Sequence, residues 1–251
     1  MQIHSQNPYD NPNGMTFGVQ ILLISNIAIF VAEPLLRIPL SKMFQLNADW
    51  MTHFAIWQLL TYQFIHQGLW HLICNMLGLF FLGSEVERGL GTNRFFTLYF
   101  LSGILGGLGW SLLSAPHHNC VGASGAVLGV VAAFAALYPK RELYVYGLFP
   151  IQAWLLVLLF GIYEFSQIIN NAGGHIANAA HLGGGLAGYV FATITGRPDV
   201  MRKLQKKLEP HADLPANKQE INRILDKIAS QGLHSLTPSE RATLKQAAGK
   251  R

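Results

Sequence analysis

The uneven distribution of charge constrains the fold of this chain more than any other feature of its sequence. Between Phe17 and Gly196, 180 residues contain only twelve Asp, Glu, Lys or Arg, whereas the 55 residues from Arg197 to Arg251 contain eighteen. An average soluble domain has about 25% charged residues, and this chain has 12%. A soluble globular protein and a disordered chain are both disfavoured, and the pattern predicts a membrane-embedded block with a charged flank.

The apolar block divides into segments long enough to cross a membrane. A helix that spans a hydrocarbon core of about 30 Å needs roughly 20 apolar residues. The predicted spans are Phe17–Leu36, Leu69–Glu87, Phe95–Ser114, Gly122–Tyr138, Ile151–Ile169 and Gly174–Thr195. The fourth and sixth are rich in Gly and Ala, which favour close helix contacts in lipid. The predicted fold class is all-α, a polytopic membrane protein with a bundle of six transmembrane helices.

Basic residues in the short connections predict the orientation of these spans, because cytoplasmic loops are enriched in Lys and Arg. Arg88 and Arg94 lie between spans two and three, and Lys140 and Arg141 lie between spans four and five. Both termini are therefore expected in the cytoplasm. The expected domains are an N-terminal cytoplasmic segment at 1–16, a membrane domain at 17–196 and a basic cytoplasmic tail at 197–251.

The tail is expected to face anionic lipid rather than nucleic acid, since its surplus of positive charge lies beside an apolar block. Ile221, Ile224 and Ile228 follow helical spacing, and Gly232 is a plausible end for that helix. The segment from Thr237 to Glu240 has the pattern of a capping box with Pro at the first helical position. The pattern predicts a small helical hairpin.

The connection between spans one and two is long and aromatic, with Trp50, Phe54 and Trp57. We expect it to form a partly membrane-embedded structure on the outer side of the bilayer. An ordinary polar loop is the alternative, which the aromatic residues make less favourable.

Polar side chains at bilayer depth are costly and indicate function. Spans two, four and six each end at a basic residue, and His71, Ser124 and His181 precede that residue by 17, 16 and 16 positions. At about 1.5 Å per residue, all three lie ~24–26 Å above the same plane. Asn75 follows His71 by four residues and so lies on the same face, one turn deeper. The spacing predicts one polar site built from three helices.

The residue types at this level indicate nucleophilic catalysis. Ser124 needs a base at its own depth, no Lys lies in any span, and His181 is the candidate. Rows of small residues, Gly125 with Gly129 and Gly184 with Gly188, predict that spans four and six meet closely enough for the imidazole to reach the hydroxyl. Expected oxyanion donors are the Ser124 backbone N–H, the His71 ring and the Asn75 amide.

One carboxylate, Glu164, lies within span five. Glu164 is read either as a cavity-facing residue near a substrate gate or as a side chain that extends to the membrane surface. No carboxylate is expected at the depth of His181, so the sequence predicts a Ser–His dyad rather than a triad.

Other classes of intramembrane hydrolase are disfavoured because the sequence lacks the residues that they require. No span contains Asp, and no HExxH motif occurs. A metal bound by His66, His71 and His181 is disfavoured because no Cys or carboxylate is expected beside them. We therefore expect no metal and no cofactor.

Four motifs, in the expected order, make the chain resemble the rhomboid intramembrane serine proteases. They are Trp57-x3-Thr61-x2-Phe64-x-His66-x4-His71-x3-Asn75, Gly83-x3-Glu87-x3-Gly91, Gly122-Ala123-Ser124-Gly125 with Gly129, and Ala180-His181-Leu182-Gly183-Gly184-x3-Gly188. The similarity covers roughly residues 17 to 196. The family often has Trp-Arg in the outer loop, where this chain has Trp57-Gln58, and that difference bears on loop stability rather than on chemistry.

The resemblance implies a six-helix bundle with a water-filled cavity open to the outside. It implies Ser124 as nucleophile, His181 as base, and His71, Asn75 and the Ser124 amide as oxyanion donors. The implied substrates are single-pass membrane proteins, cut in or near their transmembrane segment, and the plain six-span form implies a bacterial inner membrane. Two alternatives stay open: an inactive relative that binds transmembrane helices, and a channel or proton-coupled transporter that uses the same histidines.

Overall fold

The computed structural model describes residues 14–115, 118–145, 148–170, 176–196 and 216–248. The chain divides into two compact units, Met1–Met201 and Arg202–Arg251. The expected N-terminal segment before residue 14, and the expected start of the tail at Arg197, lie outside the described residues.

Helices make up most of the first unit. The elements are α1 (Phe17–Leu36), α2 (Leu40–Phe44), β1 (Leu46–Asn47), α3 (Gln58–Thr61), α4 (Leu69–Gly78), a π-helical turn (Leu79–Gly83), α5 (Ser84–Leu90), α6 (Thr92–Leu113), β2 (Asn119–Cys120), α7 (Ser124–Leu137), β3 (Glu142–Val145), β4 (Phe149–Gln152), α8 (Ala153–Ile169) and α9 (Ile176–Gly196). The second unit contains α10 (Ala216–Gln231) and α11 (Pro238–Ala248).

Each predicted span has a corresponding helix in the structure. Among the described residues, Phe17–Leu36, Leu69–Leu90 and Thr92–Leu113 are long and apolar enough to cross a membrane, and α7 and α8 are shorter apolar helices. The Gly-rich α9 accounts for the sixth span. The predicted all-α, polytopic membrane fold is confirmed. The expected connection between spans four and five, however, contains the antiparallel pair β3–β4.

Helix α7 is the central helix of the bundle, and most of its residues are buried. A helix that is apolar on every side is stable only inside a protein or in lipid. Its 14 residues correspond to about 21 Å, less than the hydrocarbon thickness of about 30 Å. Because the helix is too short to cross, its first residue, Ser124, is expected beneath the membrane surface.

The small residues of α7 and α9 place these two helix backbones in direct contact. A Cβ added at Gly184 would lie 2.1 Å from the carbonyl oxygen of Gly125, and one added at Gly188 would lie 2.1 Å from that of Gly129. Helix α6 also approaches α9 closely, since a Cβ at Gly106 would lie 2.7 Å from the carbonyl oxygen of Ala180. The close contact predicted from the two small-residue rows is confirmed.

The buried carboxylate of Glu87 fixes the start of α1. It accepts hydrogen bonds from the backbone N–H groups of Gly18 at 2.9 Å and Val19 at 3.0 Å, and from the Thr92 hydroxyl at 2.8 Å. A helix N-terminus has unpaired N–H groups and a partial positive charge, so a carboxylate there is stabilising. Glu87 therefore joins α1 to α5 at one end of the bundle.

We expect Glu87→Ala to lower the stability of the folded protein by roughly 2–4 kcal/mol, because it leaves buried N–H groups unpaired. Thermal unfolding in detergent measures the change. Glu85→Ala is the matched control on the same helix, since Glu85 forms only a partly exposed ion pair with Arg88 at 3.5 Å. Equal melting temperatures for the two variants would contradict the anchoring role.

The outer connection between α1 and α4 is attached to the bundle through polar contacts. Strand β1 pairs antiparallel with β2, and the buried Gln58 side chain accepts a hydrogen bond from the Asn47 backbone N–H at 3.0 Å. Trp50 is buried and donates to the Ser111 hydroxyl at 3.1 Å, whereas Phe54 and Trp57 are exposed. Gln58 thus braces the connection without a cation.

The second unit contains the predicted helical hairpin. Ile224 and Leu236 are buried, and Gly232 has φ +80°, a left-handed conformation suited to Gly, directly after α10. The Thr237 backbone N–H donates to the Glu240 carboxylate at 2.8 Å, and the Glu240 backbone N–H donates to the Thr237 hydroxyl at 3.3 Å. The predicted capping box is confirmed.

The capping box makes the hairpin sensitive to acid. The Thr237 backbone N–H and the Lys227 ammonium hold the pKa of Glu240 at about 2, below its usual 4.5. A lowered carboxyl pKa stabilises the folded form above the unfolded pKa, and that contribution is lost as the pH falls through about 2. We expect the Thr237 amide resonance of the full chain to titrate with a midpoint near that pH. A midpoint near 4.5, or the same titration in Glu240→Gln, would contradict this assignment.

Candidate active site

The structure brings together the serine and the histidine that the sequence singled out. Ser124 is the first residue of α7, and His181 lies in the second turn of α9. The Nε2 atom of His181 lies 2.9 Å from the Ser124 hydroxyl oxygen. Both residues are partly exposed, and the close contact between Gly125 and Gly184 brings their helices together. The pair has the distance that proton transfer from hydroxyl to imidazole requires.

The segment before Ser124 is held by hydrogen bonds to the outer connection. The backbone N–H of Gly122 donates to the Tyr62 carbonyl at 3.0 Å, and that of Ala123 donates to the His66 ring at 3.5 Å. Gly122 has φ +117°, a conformation that side chains other than Gly rarely adopt, which explains why α7 begins at Ser124 and not at the expected Gly122. The N-terminus of α7, with its unpaired N–H groups, therefore follows directly after this turn.

The two side chains expected to donate to the oxyanion, His71 and Asn75, lie on α4. A Cβ added at Gly122 would lie 2.5 Å from the Nε2 atom of His71, so the His71 ring packs directly against the residue two positions before Ser124. The Asn75 side chain is buried and donates one N–H to the His71 carbonyl at 2.8 Å. An amide nitrogen carries two hydrogens, so one Asn75 N–H is already used within its own helix.

A carboxylate also belongs to this cluster, and sequence reasoning did not assign it there. The Glu164 oxygen Oε1 lies 3.0 Å from the Nδ1 atom of His181, and the Asn178 side chain donates to Oε2. The glutamate is buried, with only 3% of its surface exposed. The expectation that no carboxylate lies at the depth of His181 is therefore wrong, and neither interpretation of Glu164 included a bond to the imidazole.

The β3–β4 hairpin separates Arg141 from the start of α8, so a count of residues from Arg141 overestimates the height of Glu164. Counted from Ala153, the first residue of α8, Glu164 lies about 16 Å along the helix; Ser124 lies about 20 Å from the other end of α7. The two heights are similar. The sequence did contain a signal for this contact. A carboxylate inside an apolar span is energetically costly unless it has a partner.

A cavity of about 610 Å³ adjoins the cluster between α7, α8 and α9. His181 and Glu164 are part of its wall, and the remaining wall is mostly apolar, including Leu128, Phe160 and Leu186. The resemblance implied a water-filled cavity open to the outside, whereas this cavity is mainly hydrophobic. Among the described residues, no group of three or more His, Cys, Asp or Glu has an arrangement that could hold a metal.

The fold and the cluster together define a class: a polytopic helical membrane protein with a serine–histidine pair inside the bundle. Residues 53–198 match the model of the Rhomboid domain, and the chain belongs to the rhomboid family. Residues 214–250 match a family of unknown function, DUF6576.

Curated relatives include proteins from bacteria, plants and mitochondria. The chain is 32% identical over 145 residues to Rhomboid protease GlpG of Photorhabdus laumondii, covering 56% of this chain and 48% of that protein. It is 32% identical over 209 residues to Rhomboid protein 1, mitochondrial, of Saccharomyces cerevisiae, covering 76% and 56%. It is 30% identical over 129 residues to Inactive RHOMBOID-like protein 8 of Arabidopsis thaliana, covering 51% and 35%. The chain thus spans between about a third and a little over half of the length of these relatives.

Proposed function

We propose that this protein is an intramembrane serine endopeptidase, with Ser124 as nucleophile and His181 as general base. The observation that carries the proposal is the 2.9 Å contact between the Ser124 hydroxyl and the His181 Nε2 atom at the start of a buried helix. Membership of the rhomboid family supports it, since the relatives include proteins named as proteases.

In the proposed reaction, His181 Nε2 takes the hydroxyl proton while the Ser124 oxygen attacks the substrate carbonyl. The tetrahedral intermediate collapses when the imidazolium returns this proton to the leaving amine, which leaves an acyl-enzyme. A water molecule, deprotonated by the same imidazole, then releases the second product and restores the serine.

The developing negative charge on the carbonyl oxygen needs hydrogen-bond donors. The Ser124 backbone N–H is at the N-terminus of α7, where the helix dipole also favours an anion. We assign the other donors to the His71 ring, which packs against Gly122, and to the remaining Asn75 N–H, which lies one turn further along the same face of α4. Each good donor is worth about 3 kcal/mol in the transition state.

We infer that the substrates are single-pass transmembrane proteins, cut within or near the membrane segment. The rhomboid relatives and the membrane-spanning helices of this chain support a substrate that arrives through lipid. The basic residues at Arg88, Arg94 and Arg141 support a cytoplasmic position for both termini. The relatives from Photorhabdus and Bacillus support a bacterial inner membrane.

A second candidate function is a catalytically inactive rhomboid protein that binds transmembrane helices. The relative named Inactive RHOMBOID-like protein 8 is the observation in its favour. The contact between Ser124 and His181 favours the protease, because a binding protein has no need of a paired nucleophile and base.

The test is incubation of the purified protein with a panel of tagged single-span membrane proteins, with Ser124→Ala as the parallel sample. We expect wild type to release fragments whose masses place the cut in or near the transmembrane segment, and Ser124→Ala to release none. Capture of a panel protein without cleavage, equal for the two proteins, would favour the inactive binding protein.

A further inference from the structure

The Glu164 carboxylate bridges α8 to two side chains of α9. One oxygen lies 3.0 Å from His181 Nδ1, and the other accepts a hydrogen bond from Asn178. Asn178 and His181 are three residues apart on α9, so they lie on the same face of the helix. Because each oxygen has its own partner, the plane of the carboxylate is fixed relative to the imidazole.

Glu164 is a buried, ionisable residue on a helix whose large side chains otherwise face outward, and burying it costs free energy. Ala153 and Glu164 are the buried residues of α8, whereas its large apolar side chains, such as Leu158, Ile162 and Phe165, are exposed. An ionisable group at membrane depth is expensive without a partner. A Leu at this position would suit the apolar cavity wall but could not bond to α9. The hydrogen bonds to α9 are therefore what the carboxylate of Glu164 adds.

A carboxylate at Nδ1 determines which nitrogen of the imidazole carries the proton. When Nδ1–H donates to Glu164, the lone pair of Nε2 points at the Ser124 hydroxyl, which is the form that accepts a proton. After transfer, the negative carboxylate stabilises the imidazolium cation. The same two effects account for the role of the acidic member in Ser-His-Asp sites.

We propose that Glu164 is the positioning residue of a Ser124–His181–Glu164 triad, and that Asn178 orients its carboxylate. This inference rests on the proposed function. It replaces the dyad expected from the sequence. In this role Glu164 bonds to His181 Nδ1, the ring nitrogen away from Ser124, and acts through His181.

An activated fluorophosphonate tests the proposal without a natural substrate. The Ser124 oxygen forms a bond to phosphorus, the P–F bond breaks, fluoride leaves, and the hydroxyl proton passes to His181 Nε2. The concentration dependence of labelling separates the maximal rate of this step, kinact, from the affinity for the probe, KI. A residue that orients the base alters kinact and leaves KI unchanged.

We expect Glu164→Gln to lower kinact by roughly 100-fold with KI within about twofold of wild type. The amide can donate to Nδ1 and so place the imidazole proton on Nε2, which is the unproductive form. Glu164→Asp keeps the charge and the acceptor, and we expect its kinact to be at least about tenfold above that of Glu164→Gln. Asn178→Ala removes one bond to the carboxylate, and we expect a smaller loss, about fivefold.

Glu87→Gln is the control for loss of a buried carboxylate as such. Its partners are the N-terminus of α1 and Thr92, so we expect a lower melting temperature with kinact unchanged in the folded protein. A Glu164→Gln protein that folds and labels within twofold of wild type overturns the positioning role and leaves the protease intact. A wild type that labels no faster than Ser124→Ala overturns the proposed function, and the triad with it.

Discussion

Ser124→Ala is expected to abolish labelling by an activated fluorophosphonate and cleavage of single-span proteins, and His181→Ala to lower both by roughly 10³-fold or more. The first variant removes the attacking oxygen. The second removes the base 2.9 Å from it, and no Lys lies within any of the predicted spans to replace it. Because the two residues act in one step, the double variant should be no slower than Ser124→Ala alone.

Matched controls separate these losses from general damage. Ser166 is partly exposed on α8, and its hydroxyl donates to the Tyr163 carbonyl at 2.7 Å. His53 is exposed in the outer connection. Ser166→Ala and His53→Ala should label at the wild-type rate. Retained labelling in Ser124→Ala, or loss of labelling in the two controls, would remove the basis for assigning the nucleophile.

The second large effect is expected from Gly184→Ala in α9. The new methyl group would lie 2.1 Å from the Gly125 carbonyl oxygen and 3.0 Å from its Cα. These are backbone atoms of the central helix, so no side chain can rotate away, and the two helices must separate. We expect a loss of about 3 kcal/mol or more in stability, together with loss of labelling, because Ser124 and His181 move apart with the helices.

Gly185→Ala is the matched control, one residue further along the same helix. Its new Cβ would lie 4.0 Å from the Leu128 carbonyl oxygen, an ordinary contact, and the helix propensity of Ala over Gly is favourable. Thermal unfolding in detergent and fluorophosphonate labelling should therefore separate the two variants. Equal melting temperatures would show that the close contact between the backbones of α7 and α9 does not contribute to the stability of the fold.

Much of the architecture follows from sequence because membrane helices obey one-dimensional rules. The length of apolar segments predicts the spans, and α1 begins and ends where its hydrophobic run does, at Phe17 and Leu36. The small-residue rows predict the contact of α7 with α9, since only Gly and Ala allow two backbones to touch. Counting residues to the basic residue at the end of each span places Ser124 and His181 at one height. Their contact depends on this common height and on the close approach of α7 and α9.

The contact of Glu164 with His181 could not be predicted by counting residues in this way. Its height depends on the β3–β4 hairpin, which shifts the start of α8 relative to the basic residues before it, and its partners depend on how α8 is rotated about its axis. Likewise, the sequence shows only that Gln58 replaces the Arg that the family often has. In the fold, the Gln58 side chain accepts a hydrogen bond from the Asn47 backbone N–H. Both outcomes depend on contacts between different elements of the fold.

The membrane block, the order of its helices, the capping box of the tail and the residue pair at a common depth were all predictable from sequence. These features depend on hydrophobicity, side-chain size and rise per residue, which are local properties. The contact of a glutamate from α8 with His181, on the side of the ring away from Ser124, became visible only in the folded protein. A hydrogen bond between helices requires a particular rotation and separation of both, and the spacing of residues along one helix encodes neither.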